Sequence, residues 1–301
     1  MTMPEDRGQL VNAMSVDVED YYQVGAFKNV IDPADWDSYP FRAGDNTRRV
    51  LDLFDEFGVK STFFSLGWVA ERDPALIRRI VDAGHELACH GYGHQLVFEI
   101  GQEAFREDIH RAKSMLEDIA GTAVHGYRAP SYSVTHKSLW AYDILIDEGF
   151  TYDSSVFPIY HDVYGIPHSP RFPYVVEREK GTIKEFPITT YPFRFLGRKL
   201  DLPFSGGGYF RLLPFPMIDR ALRRINEGDG MPGVVYFHPW EIDPGQPRIS
   251  GAGLKSRFRH YVNLSRTWGK LHKLLGKYRF APVQDVLAAM TLDRASAMEN
   301  A

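Results

Sequence analysis

A single cysteine, Cys89, excludes an internal disulfide framework and leaves this chain to fold on its core alone. No stretch approaches the ~18 consecutive apolar residues of a membrane-spanning helix, and residues 1–8 carry no apolar leader segment. The expectation is a cytoplasmic protein without a transmembrane segment. Charge of one sign is also missing: 35 Lys and Arg stand against 39 Asp and Glu, a net −4 at pH 7, so nothing suggests an electrostatic binder of nucleic acid. Internal repeats and low-complexity tracts are absent. What remains is 301 residues, 44% hydrophobic and 25% charged, enough for one large or two small globular domains.

The most informative residues are His90-Gly91-Tyr92-Gly93-His94 and, upstream, Asp17-Val18-Glu19-Asp20. Two imidazoles and a carboxylate are the three-ligand set of a catalytic zinc site with one position left for water. The His pair alone is weak evidence, because eleven histidines in 301 residues supply about 0.4 such pairs by chance. Two glycines make the pentapeptide a poor helix, and the Glu of the H-E-x-x-H protease pattern is absent. The pair follows the apolar run 86–89, and Asp17 and Glu19 end the run 10–16, so both groups sit where a buried strand stops. Cys89 reads as a small buried hydrophobe rather than a ligand.

Strands and helices alternate. Asp45-Asn46-Thr47 reads as the cap of a helix carrying Val50, Leu51, Phe54 and Phe57, stopped by Gly58, with a strand over 59–66 behind it. Asp73 as N-cap with Pro74 opens a second helix that ends at Gly84. Further helices are expected over 102–119 and 137–148, and Gly233 to His238 is the last clear core strand. Regular alternation implies a mostly parallel sheet with helices. Because Asp17, His90, Arg128, Asp153 and His238 all fall at C-terminal strand ends, a distorted (β/α) barrel is expected rather than an open sheet.

Asp17 ending a strand, His90-x3-His94, Arg128-Ala129-Pro130 and a strand-terminal His238 occur in the order found in polysaccharide deacetylases with the NodB-type domain, carbohydrate esterase family 4. The chain resembles that family over about residues 10–243. The phrases 15–22, 152–158, 206–214 and 260–266 resemble the branch found beside exosortase and exopolysaccharide gene clusters. The resemblance implies a hydrolase of carbon–nitrogen amide bonds that removes acetyl groups from an N-acetylated sugar during polysaccharide assembly. Zinc, or another divalent transition metal, lowers the pKa of bound water toward ~7 and polarises the amide carbonyl. By resemblance, Asp17 is the general base, Arg128 its ion-pair partner, the main-chain N–H of Ser131 the oxyanion donor and His238 the acid for the departing amine.

One position departs from the family pattern, which has two adjacent aspartates where this chain has Asp17 and Val18. Valine binds no metal. Glu19 shares the face of Asp17 by period-two alternation and is the favoured acidic ligand beside His90 and His94, whereas Asp20 could reach the ion if the strand ends at Glu19. The departure also leaves open a metal-independent amide hydrolase acting on a small molecule, as in cyclic-amide hydrolases of the same fold, and a carbohydrate-binding protein that has lost catalysis. Singly, Asp17 could be a turn cap, Arg128 an ordinary ion-pair residue and His238 a core histidine. Asp153 is either an orienting partner of His238 or a turn residue. Tyr132, Tyr209, Phe210 and Trp240 could stack on sugar faces, although most aromatics are core.

Residues 244–290 read as an extension packed on the barrel. Tyr261, Leu264, Trp268, Leu271, Leu275 and Tyr278 form one apolar helical stripe, with Arg266, Lys270, Lys273 and Lys277 opposite. That basic face is either solvated or a contact for the phosphates of a lipid-linked or nucleotide-activated sugar. The sugar itself and the oligomeric state are not legible.

Overall fold

A computed structural model describes residues 10–161, 164–195 and 198–295, so the N-terminal residues 1–8 lie outside the described residues. The first half alternates as expected: β1 (Val11–Val18), α1 (Ala43–Glu56), β2 (Thr62–Ser65), α2 (Gly67–Arg72), α3 (Pro74–Asp82), β3 (Glu86–Cys89), α4 (Val97–Ala120), β4 (Gly126–Tyr127), α5 (Ala141–Asp147) and β5 (Tyr152–Asp153). Two antiparallel hairpins follow, β6 (Tyr174–Arg178) with β7 (Gly181–Glu185), and β8 (Thr190–Phe195) with β9 (Arg198–Pro203). The chain closes with α6 (Gly207–Leu212), α7 (Phe215–Arg223), β10 (Val234–Phe237), α8 (Leu254–Tyr261), α9 (Leu264–Leu275), β11 (Arg279–Ala281), α10 (Val283–Ala288) and β12 (Asp293–Ala295).

The sheet runs β10-β1-β2-β3-β4-β5-β7-β6-β12, parallel except for the β6–β7 hairpin, and β11 adds to the start of β1. It is the distorted α/β barrel expected from the alternation. Side chains divide by strand period: Met14, Val16, Val18, Phe63, Leu87 and Phe237 pack with α1, α3 and α4, whereas Ala13, Phe64, Ala88, Val234 and Tyr236 face the other way onto Val286 and Leu287 of α10. Asp17 and Ser15 belong to this second, inward set by the same alternation.

Helix boundaries differ from the expected ones for local reasons. Asp73 does cap α3, accepting from Leu76 N at 3.0 Å, and Pro74 opens it. α1 instead starts at Ala43, before Asp45, with no side-chain cap of its own. Its first amides are taken by Asp20, whose Oδ2 accepts from Arg42 N at 2.6 Å and Ala43 N at 2.7 Å. α4 has an extra turn ahead of residue 102, separated from the long helix by Gly101 at φ 77°.

The C-terminal stripe is broken into two helices at Asn263, which sits at φ 54°, so Tyr261 and Tyr278 fall outside α9. Its lysines are not all free for solvent or phosphate. Lys270 Nζ donates to the carbonyls of Phe210, Arg211 and Leu213 at 2.7 to 2.9 Å, closing the end of α6, and Lys277 pairs with Asp219 at 2.5 Å. Arg266 and Lys273 do face solvent.

Candidate active site

Strand register builds the site in one row. Val18 pairs with Ser65, Ser65 with Cys89, Cys89 with Tyr127, Tyr127 with Asp153 and Asp153 with Glu185. The residues one step further, Glu19, His90, Arg128 and Ser154, therefore leave the sheet side by side. His238 follows Phe237, the partner of Val16, and so reaches the same end beside Asp17.

The turn after β3 shows why Gly91 is needed. Asp108 of α4 accepts from Tyr92 N at 2.8 Å and Gly93 N at 3.1 Å, and a Cβ on Gly91, at φ 75°, would come within 2.6 Å of that carboxylate. His94, at φ 51°, is turned back toward His90, ring centroids 5.5 Å apart. His94 Nε2 lies 2.7 Å from Glu19 Oε2. Ligand atoms of Glu19, His90 and His94 all fall within 4.8 Å of one another.

This trio has the chemistry of a cation site. Glu19 is 2% exposed, and its Oε2 finds no aligned donor despite the close ring nitrogen, as expected of two groups facing one ion rather than each other. His90 Nδ1 lies 2.7 Å from the carbonyl oxygen of Arg128, which can only accept, so Nδ1 carries the proton and Nε2 presents its lone pair. Burial pushes His90 down to about 4, keeping it a neutral imidazole. Burial disfavours the Glu19 carboxylate, but His94, His238 and His90 outweigh it and hold it well below the usual carboxylate range.

Asp20 stands apart. Its oxygens are committed to the amides of Arg42, Ala43 and Tyr21, and it is not in the cluster, because the chain turns at β1's end and aims it at the start of α1. Cys89 is buried, accepts from Gly91 N at 3.4 Å, and burial pushes its thiol far up.

Beside the trio, Arg128 has no exposed surface and donates from Nη1 to Asp17 Oδ1 at 2.6 Å and Ser15 Oγ at 2.8 Å. Ser154 takes the rest of the guanidinium, through its carbonyl oxygen from Nε and its Oγ from Nη2. Such a fixed fork needs arginine rather than lysine. Ser131 occupies the left-handed region at φ 52°, and its N–H is not used by the turn, whose bonds run from Tyr132 N and Ser133 N. With His94 it lines a cavity of about 330 Å³ walled by Tyr22, Trp36 and Leu96.

His238 approaches from β10, Nε2 3.5 Å from Glu19 Oε1 and 3.8 Å from Asp17 Oδ2, with Nδ1 2.9 Å from Glu241 Oε1. Burial works against a charge there, yet Glu19, Glu241 and Asp17 carry the imidazole up to about 9. Glu241, not Asp153, is the orienting partner. Asp153 accepts from Ser155 and faces Glu185 across the sheet, where burial keeps a proton on the pair. Sequence reasoning passed over Glu241, although its place three residues after a strand-terminal His on a short helix was the available signal. Trp240 donates to Glu19 Oε1 at 3.2 Å and stacks between His238 and His260, so it is core rather than a sugar platform.

Residues 35–145 match the family Polysaccharide deacetylase, and residues 154–288 match a domain of unknown function (DUF3473). The chain carries a polysaccharide deacetylase domain of the NodB type. A peptidoglycan deacetylase of Helicobacter pylori is 31% identical over 108 residues, covering 36% of this chain and 36% of that protein. A peptidoglycan-N-acetylglucosamine deacetylase of Bacillus cereus is 32% identical over 96 residues, covering 32% of this chain and 35% of that protein. The chain spans about a third of the length of these relatives. A crystal structure assigned as a polysaccharide deacetylase of Mycobacterium smegmatis matches in fold with TM-score 0.61 at 22% identity, over 99% of this chain and 96% of that one.

Proposed function

We propose that this protein removes acetyl groups from an N-acetylated sugar by metal-dependent hydrolysis, and that its substrate is a glycan or a lipid-linked or nucleotide-activated sugar met during exopolysaccharide assembly. The observation that carries the reading is the placing of Glu19, His90 and His94 beside the Asp17–Arg128 pair and His238. The relatives' names, which specify peptidoglycan and N-acetylglucosamine, support the substrate class.

Glu19, His90 and His94 would hold zinc or another divalent transition metal, which when bound supplies an activated water and a Lewis acid for the amide carbonyl. Asp17, held in place by Arg128, takes the proton from the attacking water. The Ser131 N–H is the donor for the oxyanion that develops as the carbonyl becomes tetrahedral. His238, oriented by Glu241 and charged in the resting site, gives its proton to the departing amine. Water's addition thus breaks the C–N bond and releases acetate and a free amino sugar.

Acetate release should be measured across a panel of N-acetylated oligosaccharides and lipid-linked sugars, with protein prepared with and without chelator. Release that is lost on chelation and restored by zinc is expected. Full activity in metal-free protein overturns the metal dependence, and glycan binding without released acetate overturns the reaction.

A further inference from the structure

We propose that α8 seats the protein on an anionic membrane surface. Leu254 and Phe258 are 84% and 61% exposed, far more than large apolar side chains with a partner in the fold. They lie one turn apart. At about 100° per residue, Phe258 points opposite the side of α8 that carries Ser256 and buried His260, with Leu254 about 40° away. Lys255 lies beside them, and Arg257 and Arg259 flank the crest about 100° to either side. All three cations are exposed, and none makes an ion pair among the described residues. An outward apolar crest with basic flanks is the geometry of a helix lying in a lipid interface.

Charge decides the occupant. The chain carries a net −4, yet this short helix gathers three cations without an ion pair among the described residues around its apolar crest. A second copy docking about a two-fold axis would set Lys255, Arg257 and Arg259 against themselves. Acidic headgroups satisfy all three while the crest enters the acyl boundary. The surface is rigidly joined to the active site: His260, on the inward face of α8, stacks on Trp240 at 4.2 Å, and Trp240 stacks on His238 at 5.2 Å.

Full-length protein should be sedimented with vesicles of phosphatidylcholine alone or mixed with phosphatidylglycerol. Binding to the anionic vesicles that weakens with salt is expected. Leu254→Gln with Phe258→Gln should reduce partitioning more than tenfold. Lys255→Gln, Arg257→Gln and Arg259→Gln together should reduce it about a hundredfold, at about fivefold per cation. Acetate release from a soluble oligosaccharide should be unchanged in both variants, which separates this surface from the hydrolytic reading. Failure of the native protein to bind anionic vesicles overturns the proposal, as does equal binding by either variant. A dimer in sedimentation velocity that the apolar exchange dissolves, with no vesicle binding, assigns the surface to a second copy.

Discussion

Arg128 serves Asp17 with its side chain and His90 with its backbone: Nη1 donates to Asp17 Oδ1 at 2.6 Å while its carbonyl oxygen sits 2.7 Å from His90 Nδ1. One residue therefore contacts both the proposed base and a proposed metal ligand. The two roles can be separated, because a side-chain exchange leaves the carbonyl in place.

Arg128→Lys should keep metal content near one per chain and lower turnover by about 10²-fold or more, since an ammonium cannot reproduce the fork to Asp17, Ser15 and Ser154. Metal analysis beside initial rates checks it. Loss of metal in step with activity would show that the guanidinium holds the whole strand end.

Asp17→Asn should fold, retain metal and lose about 10² to 10⁴-fold in turnover, the usual worth of general base catalysis. A loss below tenfold would mean that another group takes the proton.

Glu19→Ala and His94→Ala should each abolish tight metal binding. Asp20→Ala should leave metal content intact and instead lower unfolding free energy by about 0.5 to 2 kcal/mol, because it uncaps α1. Denaturant unfolding and metal titration of the variants separate the neighbouring acids.

Glu241→Gln should keep metal and fold but reduce turnover, because it removes the carboxylate that holds His238 Nδ1 at 2.9 Å. His238→Ala should lower turnover further, also with metal retained. Wild-type rates in both variants would make His238 a core histidine and require another donor.

Acid should destabilise the fold through two buried histidines outside the proposed ligand set, His85 far from it and His260 packed against Trp240. Burial lowers His85 to about 4 and His260 to about 2; His85 Nδ1 accepts from Ser61 N, which requires the neutral ring, and His260 Nε2 donates to Gln246 Oε1. A depressed folded pKa means that the unfolded chain binds more protons below about 6.5, so stability falls as pH falls from there toward 4. Each histidine contributes a slope of up to about 1.4 kcal/mol per pH unit. Denaturant midpoints at pH 7.5 and 5 in the native protein and in His85→Gln check it; an unchanged slope in the variant would exclude His85.

Much of the barrel half was legible from local signals. The cap at Asp73, the stop at Gly84 and the apolar periodicity of residues 102–119 are short-range features, and α3 and the main part of α4 follow them. The start of α1 was not, because its cap comes from Asp20, twenty-two residues upstream of Arg42. The C-terminal stripe was misread as one helix since 3–4 spacing continues across Asn263, whose left-handed backbone breaks it.

The residue types and their order along the chain are enough to specify a barrel whose polar residues gather at one end, because each lies at the end of a strand-like run. They could not decide which of two neighbouring acids faces the histidines, or which acid holds His238. Those choices depend on the direction in which the chain leaves β1 and β10, and that direction is set by contacts far away in sequence: the amides of α1 claim Asp20, and the short helix after β10 swings Glu241 beneath His238 while β7 claims Asp153. Side-chain chemistry is local, but the pairing of buried charges is not, since each must find its partner on another strand or helix.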